Sequence, residues 1–331
     1  MNLRIGWLTP TVGIFGAIRE MVEISNVLVG RGHTVTIYHP DGGPCVWLPC
    51  RAGYGTIAEI PTAELDVLIG IIDWQPDLYS LMLASPAKVN AVCLMGFAPS
   101  EEMAAGLRGE SKPRDRAERM LVDAMRQGMT ILADSSWQTD WFRQATGYGL
   151  IGPSFGGINL KQFQPAPKTP RTKLRVIASG DPRERKGGDT MTAAMEMIRA
   201  AMGDKVETDT YWNRRFTQAQ LVEFLQQGDV FLDGHRRAGW CNPVAEAMAC
   251  GTMAVCTDIG AVRDFALRGW SAMVVPVDDP GAMADAALYA LGNEGVRQRL
   301  TANGLAQIAR FDYQTVAVEL EGYLLGRVAG G

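Results

Sequence analysis

The chain has 331 residues, enough for two domains at roughly 150 residues each. Hydrophobic residues make up 47% and charged residues 21%, a globular composition that excludes wholesale disorder. Acidic residues number 36 against 32 basic ones, a formal charge of −4, so composition alone gives no reason to expect a polyanion-binding protein. No apolar stretch approaches the ~20 residues needed to span a bilayer. The start, Met1-Asn2-Leu3-Arg4, runs straight into a strand-like segment and lacks the apolar core of a signal peptide.

The six cysteines form no Cys-x-x-Cys pair. Cys93, Cys250 and Cys256 lie in apolar segments, where a thiol behaves as a small hydrophobe. A reduced, cytoplasmic protein is the expectation. The three histidines, His33, His39 and His235, form no cluster with zinc-ligand spacing, so no metal site is expected.

In chain order, Leu3–Leu8 is a short apolar run closed by Thr9-Pro10, and Gly13 and Gly16 punctuate the loop that follows. Ile18, Met21, Val22, Ile24, Val27 and Leu28 then trace one helical face. Thr34–Tyr38 is a second strand, which makes a β–loop–α–β opening of the parallel-sheet kind. Asp66–Ile72, Val89–Met95 and Met129–Ala133 read as further buried strands. The stretch Gln164–Pro170 carries Pro165, Pro167 and Pro170 and is expected to be an interdomain linker. Leu174–Ser179 restarts the alternation. Strands at Lys205–Tyr211, Asp229–Asp233, Met253–Cys256 and Ala272–Val275 follow, with helices at Thr190–Met202, Thr217–Gln227, 281–292 and 295–309. The last apolar-patterned segment is Thr315–Leu325. Both halves thus have the same βαβ grammar, and in open α/β sheets ligands bind beyond the strand C-termini.

The most informative segment is Gly228–Gly251. Asn242 suits a helix N-cap, Pro243 the first helical position and Gly251 the C′ position. The first amides, Val244 and Ala245, are expected to lack intrahelical partners and to be able to receive an anionic oxygen. Glu246, one turn in, can accept two hydroxyl hydrogen bonds such as vicinal ribose hydroxyls offer. The alternative is that Asn242 caps its own helix and Glu246 merely favours the dipole.

This segment resembles the donor-binding signature of retaining GT-B glycosyltransferases of family four. Ala247-Met248-Ala249-Cys250-Gly251 match outright, Gly239-Trp240 stand for Gly-Phe, and Glu246 falls on the glutamate that holds the donor ribose in such enzymes. The preceding family glutamate, which contacts donor-sugar hydroxyls, falls on Ala238, a departure that bears on donor-sugar identity. Gly156–Asn159 with Phe163 and Pro165, Thr257–Gly260 with Asp264, and Val275-Pro276 with Asp279-Pro280 extend the resemblance over most of the chain.

The resemblance implies an α/β GT-B fold, two Rossmann-like doubly wound domains facing across a cleft. It divides the chain into an acceptor-side domain at 1–165, a nucleotide-sugar domain at 166–312, and a C-terminal helix at 313–331, with packing back on the first domain as one option. It implies retaining, metal-independent transfer of a sugar from a nucleoside-diphosphate sugar, the co-substrate, with no other cofactor. The acceptor is open among a saccharide, a lipid-linked saccharide, a small molecule and a polymer. Peripheral membrane contact is also open, through the mixed basic stretch Arg108–Arg119. Two rival readings are a GT-B scaffold that binds nucleotide sugar without turnover and a nucleotide-sugar epimerase.

Gly180–Gly188 is no Walker loop, because Arg185 occupies the required glycine position before Lys186. In the family its equivalent supplies two cations that clamp the diphosphate. Lys186 matches one; Asp181 stands at the other, so Arg183, or else Arg185, is expected to take over that role. Gly13 and Gly16 face the donor diphosphate in this reading. Asn242–Ala245 supply helix-start contacts. His235, Arg237, Ala238 and Gly239 lie near the donor sugar, where His235 or Arg237 would compensate for the missing glutamate. Asp73 and Trp74, after one strand, and Gly96 and Phe97, where relatives often carry a histidine after another, are acceptor-side candidates.

Overall fold

The computed structural model describes residues 1–71, 75–94, 100–113 and 116–330. The chain folds as two compact units, Met1–Gly157 with the segment from Tyr313 onward, and Ile158–Asp312.

Among the described residues, unit 1 holds seven parallel strands: β1 (Arg4–Leu8), β2 (Thr34–His39), β3 (Gly53–Thr56), β4 (Val67–Gly70), β5 (Val89–Leu94), β6 (Thr130–Ala133) and β7 (Ile151–Ser154). Their spatial order is β3-β2-β1-β4-β5-β6-β7. Helices α1 (Gly16–Gly30), α2 (Pro76–Ala84), α3 (Glu101–Arg108), α4 (Arg116–Arg126) and α5 (Ser136–Thr146) complete the alternation. The chain order reverses between β1 and β4, the topological switch point of this sheet. The middle of the sheet is apolar on both faces: β4 is buried at every position, as a sheet covered on both sides requires. The face of α1 read from the sequence is the buried one, with Ile18, Met21, Val22 and Ile24 inside. β3, Gly-Tyr-Gly-Thr, gives no apolar alternation; it is a half-exposed edge strand held by pairing with β2.

Unit 2 holds β8 (Leu174–Ala178), β9 (Val206–Thr210), β10 (Val230–Asp233), β11 (Met253–Thr257) and β12 (Met273–Val275), in the order β12-β11-β10-β8-β9. Helices α6 (Gly188–Met202), α7 (Gln218–Gln226), α8 (Asn242–Ala249), α9 (Pro280–Gly292) and α10 (Glu294–Ile308) belong to it. Its switch point lies between β8 and β10, so the loops leaving these two strands are neighbours.

The proline-rich stretch is not a linker. The division falls at Gly157/Ile158, ahead of it, because Ile158 and Phe163 are buried in the apolar core of unit 2 and the Ile158 amide donates to the Phe311 carbonyl at 2.9 Å. The prolines remove donors, but the segment is held by side chains. Lys168 Nζ donates to the Gly228 carbonyl and pairs with Asp229 at 3.2 Å, and Arg171 pairs with Asp229 at 2.6 Å.

The last helix, α11 (Tyr313–Gly330), belongs to unit 1 and packs against α1 and β7. Its Glu321 receives Arg31 Nε at 2.5 Å and His33 Nε2 at 2.7 Å. The His33 Nδ1 accepts from the Leu3 amide at 3.0 Å, so the ring is the Nε2–H tautomer. Among the described residues, no helix is long and apolar enough to cross a membrane.

Candidate functional site

The site elements gather beyond the C-terminal ends of β8 and β10 in unit 2. After β8 the chain turns through Gly180, makes a single 3-10 turn at Glu184–Lys186, and enters α6 through Gly187. Gly187 has φ +61°, and a Cβ there would lie 1.9 Å from the Gly234 carbonyl oxygen. The two loops therefore touch backbone to backbone, which only glycine permits. The Arg236 amide, donating to the Arg185 carbonyl at 2.9 Å, ties them again.

This contact brings Lys186 against His235. Lys186 Nζ lies 2.6 Å from His235 Nε2, and His235 Nδ1 lies 2.9 and 2.8 Å from the two oxygens of Asp233. An ammonium only donates, so Nε2 accepts and Nδ1–H donates to the carboxylate. Asp233 is fully buried, and His235 is 1% exposed. Burial alone raises the Asp233 carboxyl, but His235 and Lys186 outweigh it and hold the group below its ordinary value. Burial pushes the Lys186 ammonium down. Cys241 Sγ completes the cluster, 3.6 Å from Asp233 Oδ1, and burial raises its thiol. The carboxylate, imidazole and thiol lie within 4.8 Å of one another, a grouping that could hold a metal ion. They hydrogen-bond each other instead. A cation at Nδ1 would drive the imidazole proton to Nε2, into the Lys186 ammonium.

The sequence-derived candidates divide sharply. Arg183 is committed to Asp181. Its Nε lies 3.0 Å from both carboxylate oxygens, its Nη2 also binds Oδ2, and its guanidinium sits 5.0 Å from the Trp212 ring centre. Asp181, the residue at the family's arginine position, thus occupies the cation expected to replace it. The Asp181 carboxyl, raised by burial, is brought below its ordinary value by Arg183. Arg185, half-buried, and Arg237, exposed, have no carboxylate at ion-pair distance among the described residues. Burial, then the Arg183 charge, with a further contribution from Arg237, push the Arg185 guanidinium down. Arg236 is satisfied by Asp278 at 2.6 Å and Asp189 at 2.8 Å.

Helix α8 starts one residue earlier than expected from capping. Cys241 holds the cap position and Asn242 is the first helical residue, with no side-chain cap bond. The Ala245 amide is not available, because it donates to the Cys241 carbonyl at 3.1 Å. The Val244 amide faces the Cys241 sulfur. Pro243 has no amide hydrogen. The far end fits its prediction closely. Gly251 has φ +77°, its amide donates to Met248, and the Thr252 amide reaches back to Ala247 at 2.9 Å, a Schellman closure. Glu246 is buried at 5% exposure on α8.

His235 does not stand in for the missing glutamate at 238, since both ring nitrogens are engaged. Ala238 is 6% exposed and belongs to the apolar core with Trp240; Gly239 is buried beside it. Gly13 lies in the first βα loop of unit 1 and Gly16 opens α1, neither in the unit that carries Lys186. Gly13 is not in the left-handed region, so its backbone does not by itself demand glycine. Asp73, Trp74, Gly96 and Phe97 lie outside the described residues. Sequence reasoning missed the Asp233–His235–Lys186 chain. The available signal was an aspartate closing an apolar strand, since a buried carboxylate needs a partner.

Residues 160–293 match the family described as glycosyl transferases group 1. The phosphatidyl-myo-inositol mannosyltransferase of Mycobacterium leprae is 36% identical over 77 residues, covering 23% of this chain and 21% of that protein. The chain's match thus spans about a fifth of the length of the first such relatives. The same enzyme of Mycolicibacterium smegmatis is 27% identical over 358 aligned positions, covering 96% of this chain and 92% of that one. Among solved structures, sucrose-phosphate synthase from Thermosynechococcus elongatus superposes with a TM-score of 0.73 at 16% identity, covering 99% of this chain and all of that one. Anabaena Alr3699/HepE in complex with UDP and glucose gives 0.75 at 14% identity, covering 98% and 100%.

Proposed function

We propose that this protein, a GT-B-fold chain whose second unit matches the group 1 glycosyl transferases, moves a sugar from a nucleoside-diphosphate sugar to an acceptor hydroxyl with retention of configuration. The observation that carries the reading is the set of cations at the β8/β10 switch point. Lys186 and Arg185 lie on the loop leaving β8 and Arg237 on the loop leaving β10, and Arg185 and Arg237 have no carboxylate at ion-pair distance among the described residues. Guanidiniums without a contact ion pair at a strand-end switch point favour a polyanionic ligand. The neighbour and relatives above supply the ligand class: HepE is described with UDP and glucose, and the mycobacterial relatives are mannosyltransferases.

In this mechanism Lys186 and Arg185 hold the diphosphate, and Arg185 replaces Arg183, whose charge Asp181 consumes. As the glycosidic bond breaks, negative charge grows on the leaving diphosphate. The cations, with the helix-start amide of Asn242, stabilise that charge. Glu246 accepts from the ribose hydroxyls. Transfer on the front face follows, with the departing phosphate taking the acceptor's proton, and needs no metal because the clamp is already cationic. Asp73, Trp74, Gly96 and Phe97 remain the acceptor-side candidates.

The test is release of nucleoside diphosphate from a panel of UDP-, GDP- and ADP-sugars in the presence of candidate acceptors, with product anomeric configuration read by proton NMR. Retention is expected. An inverted product removes the mechanism. Tight binding without turnover on any acceptor favours the scaffold reading.

A further inference from the structure

The Lys186–His235–Asp233 chain is more than a diphosphate clamp needs. A lysine clamp works from a flexible stem in water, and here the stem ends against a buried imidazole whose other nitrogen is locked by a buried carboxylate. We propose that His235, oriented by Asp233, is a positioning residue that fixes the Lys186 ammonium for a nucleoside diphosphate. The inference rests on the reading of Lys186 as a diphosphate-binding cation.

The geometry works as follows. The Asp233 carboxylate receives Nδ1–H, which leaves the Nε2 lone pair directed at Lys186. The ammonium has three N–H donors. His235 takes one, and two remain for a ligand. The stem's rotamers are then ordered before binding rather than by it, which lowers the entropy lost on binding. The other groups around the ring are consistent with this role. Cys241 Sγ lies 3.8 Å from Nδ1 with its thiol held neutral by burial, and Thr257 Oγ1 donates to the His235 carbonyl from β11, fixing the backbone. The Arg236 charge is absorbed by Asp189 and Asp278.

Two measurements test this. The first is calorimetric binding of UDP and GDP to the wild type, His235→Gln and His235→Met, each with and without Lys186→Met. Gln keeps an acceptor for the ammonium, whereas Met fills a similar volume with only a weak one. His235→Met should weaken binding roughly tenfold, the worth of one charge-assisted hydrogen bond, and His235→Gln by much less. In the Lys186→Met background neither change should weaken binding further. Equal losses in both backgrounds overturn the inference while leaving the nucleotide reading intact. Binding of neither UDP nor GDP by the wild type overturns both. The second measurement needs no substitution. Nitrogen-15 shifts of His235 in the wild type should report a protonated Nδ1 and a bare Nε2. The opposite tautomer cannot accept from Lys186 and overturns the inference.

Discussion

Strand β10 carries an aspartate at each end, and the two have opposite surroundings. Asp229, just before the strand, receives Lys168, Arg171 and the Arg175 amide at 2.8 Å. Asp233, closing the strand, receives an imidazole and, through it, Lys186. At the first end every cation is consumed in fastening the chain that enters unit 2. At the second the carboxylate engages a neutral ring, and the cation beyond keeps donors to spare. The same residue type, four positions apart, thus serves as an anchor at the N-terminal edge of a parallel sheet and as the partner of a buried imidazole at the C-terminal edge. The two partners of the anchor respond differently. Burial raises the Asp229 carboxyl, but Arg171 and its neighbours hold it below its ordinary value. The Lys168 ammonium is lowered by burial in spite of Asp229. The carboxylate has several donors and the ammonium one carboxylate, so the anchor favours the aspartate's charge more than the lysine's.

The comparison is sharpest in stability. Asp229→Ala leaves Lys168 and Arg171 partly buried without their counter-ion and should cost about 3 kcal/mol in urea unfolding, with nucleoside-diphosphate affinity of the folded fraction unchanged. If affinity falls as well, the two ends of β10 are not separable. The converse holds for the other end. Lys186→Met and Glu246→Ala should each weaken UDP or GDP binding by about 1–3 kcal/mol in calorimetry, each removing charged hydrogen bonds. Unchanged affinity in Glu246→Ala would sink its ribose assignment.

Acid should act on the anchor in a way that has a definite sign. The folded Asp229 carboxyl lies below its ordinary value of 3.8, so its stabilisation is fully present above that value. It is lost as pH falls through the ordinary carboxylate range towards the folded value. Glu321, raised by burial but lowered by His33 and Arg31, contributes in the same direction from its ordinary value of 4.5. Asp229→Asn should therefore flatten part of the acid limb of stability, by about 1 kcal/mol between pH 5 and pH 3. An unaltered limb would assign acid sensitivity elsewhere. The smallest expected effect is that of a chelator. Saturating EDTA should leave transfer unchanged, and loss of transfer restored by manganese would contradict the cationic clamp.

The alternation of apolar runs and amphipathic helices identified most of both sheets, because parallel strands buried on two faces must be apolar throughout. β3 and β7 escaped, one being Gly-Tyr-Gly-Thr at a sheet edge and the other Ile-Gly-Pro-Ser. Neither carries a period, and both exist because a neighbouring strand offers hydrogen bonds. The Schellman end of α8 was legible, since a glycine after the last helical residue is a local signal. The start of the same helix was misplaced by one residue, because which residue caps depends on the approach of the chain from β10.

Local sequence thus determined the two βαβ-type sheets, the loop holding Lys186 and the short helix carrying Glu246, because period, capping and glycine placement act over a few residues. Tertiary structure decided which charges remain available. The pairing of Arg183 with Asp181, the lack of a carboxylate at ion-pair distance from Arg185 among the described residues, the end of the first unit at Gly157 and the reach of His235 to Lys186 all depend on contacts between segments or on which side of a loop a side chain leaves. Lys186 and His235 are far apart in sequence and meet because β8 and β10 are adjacent in the sheet, and because Gly187 and Gly234 let their loops touch. Strand order and close backbone approach are properties of the packed sheet, and no window of sequence contains them.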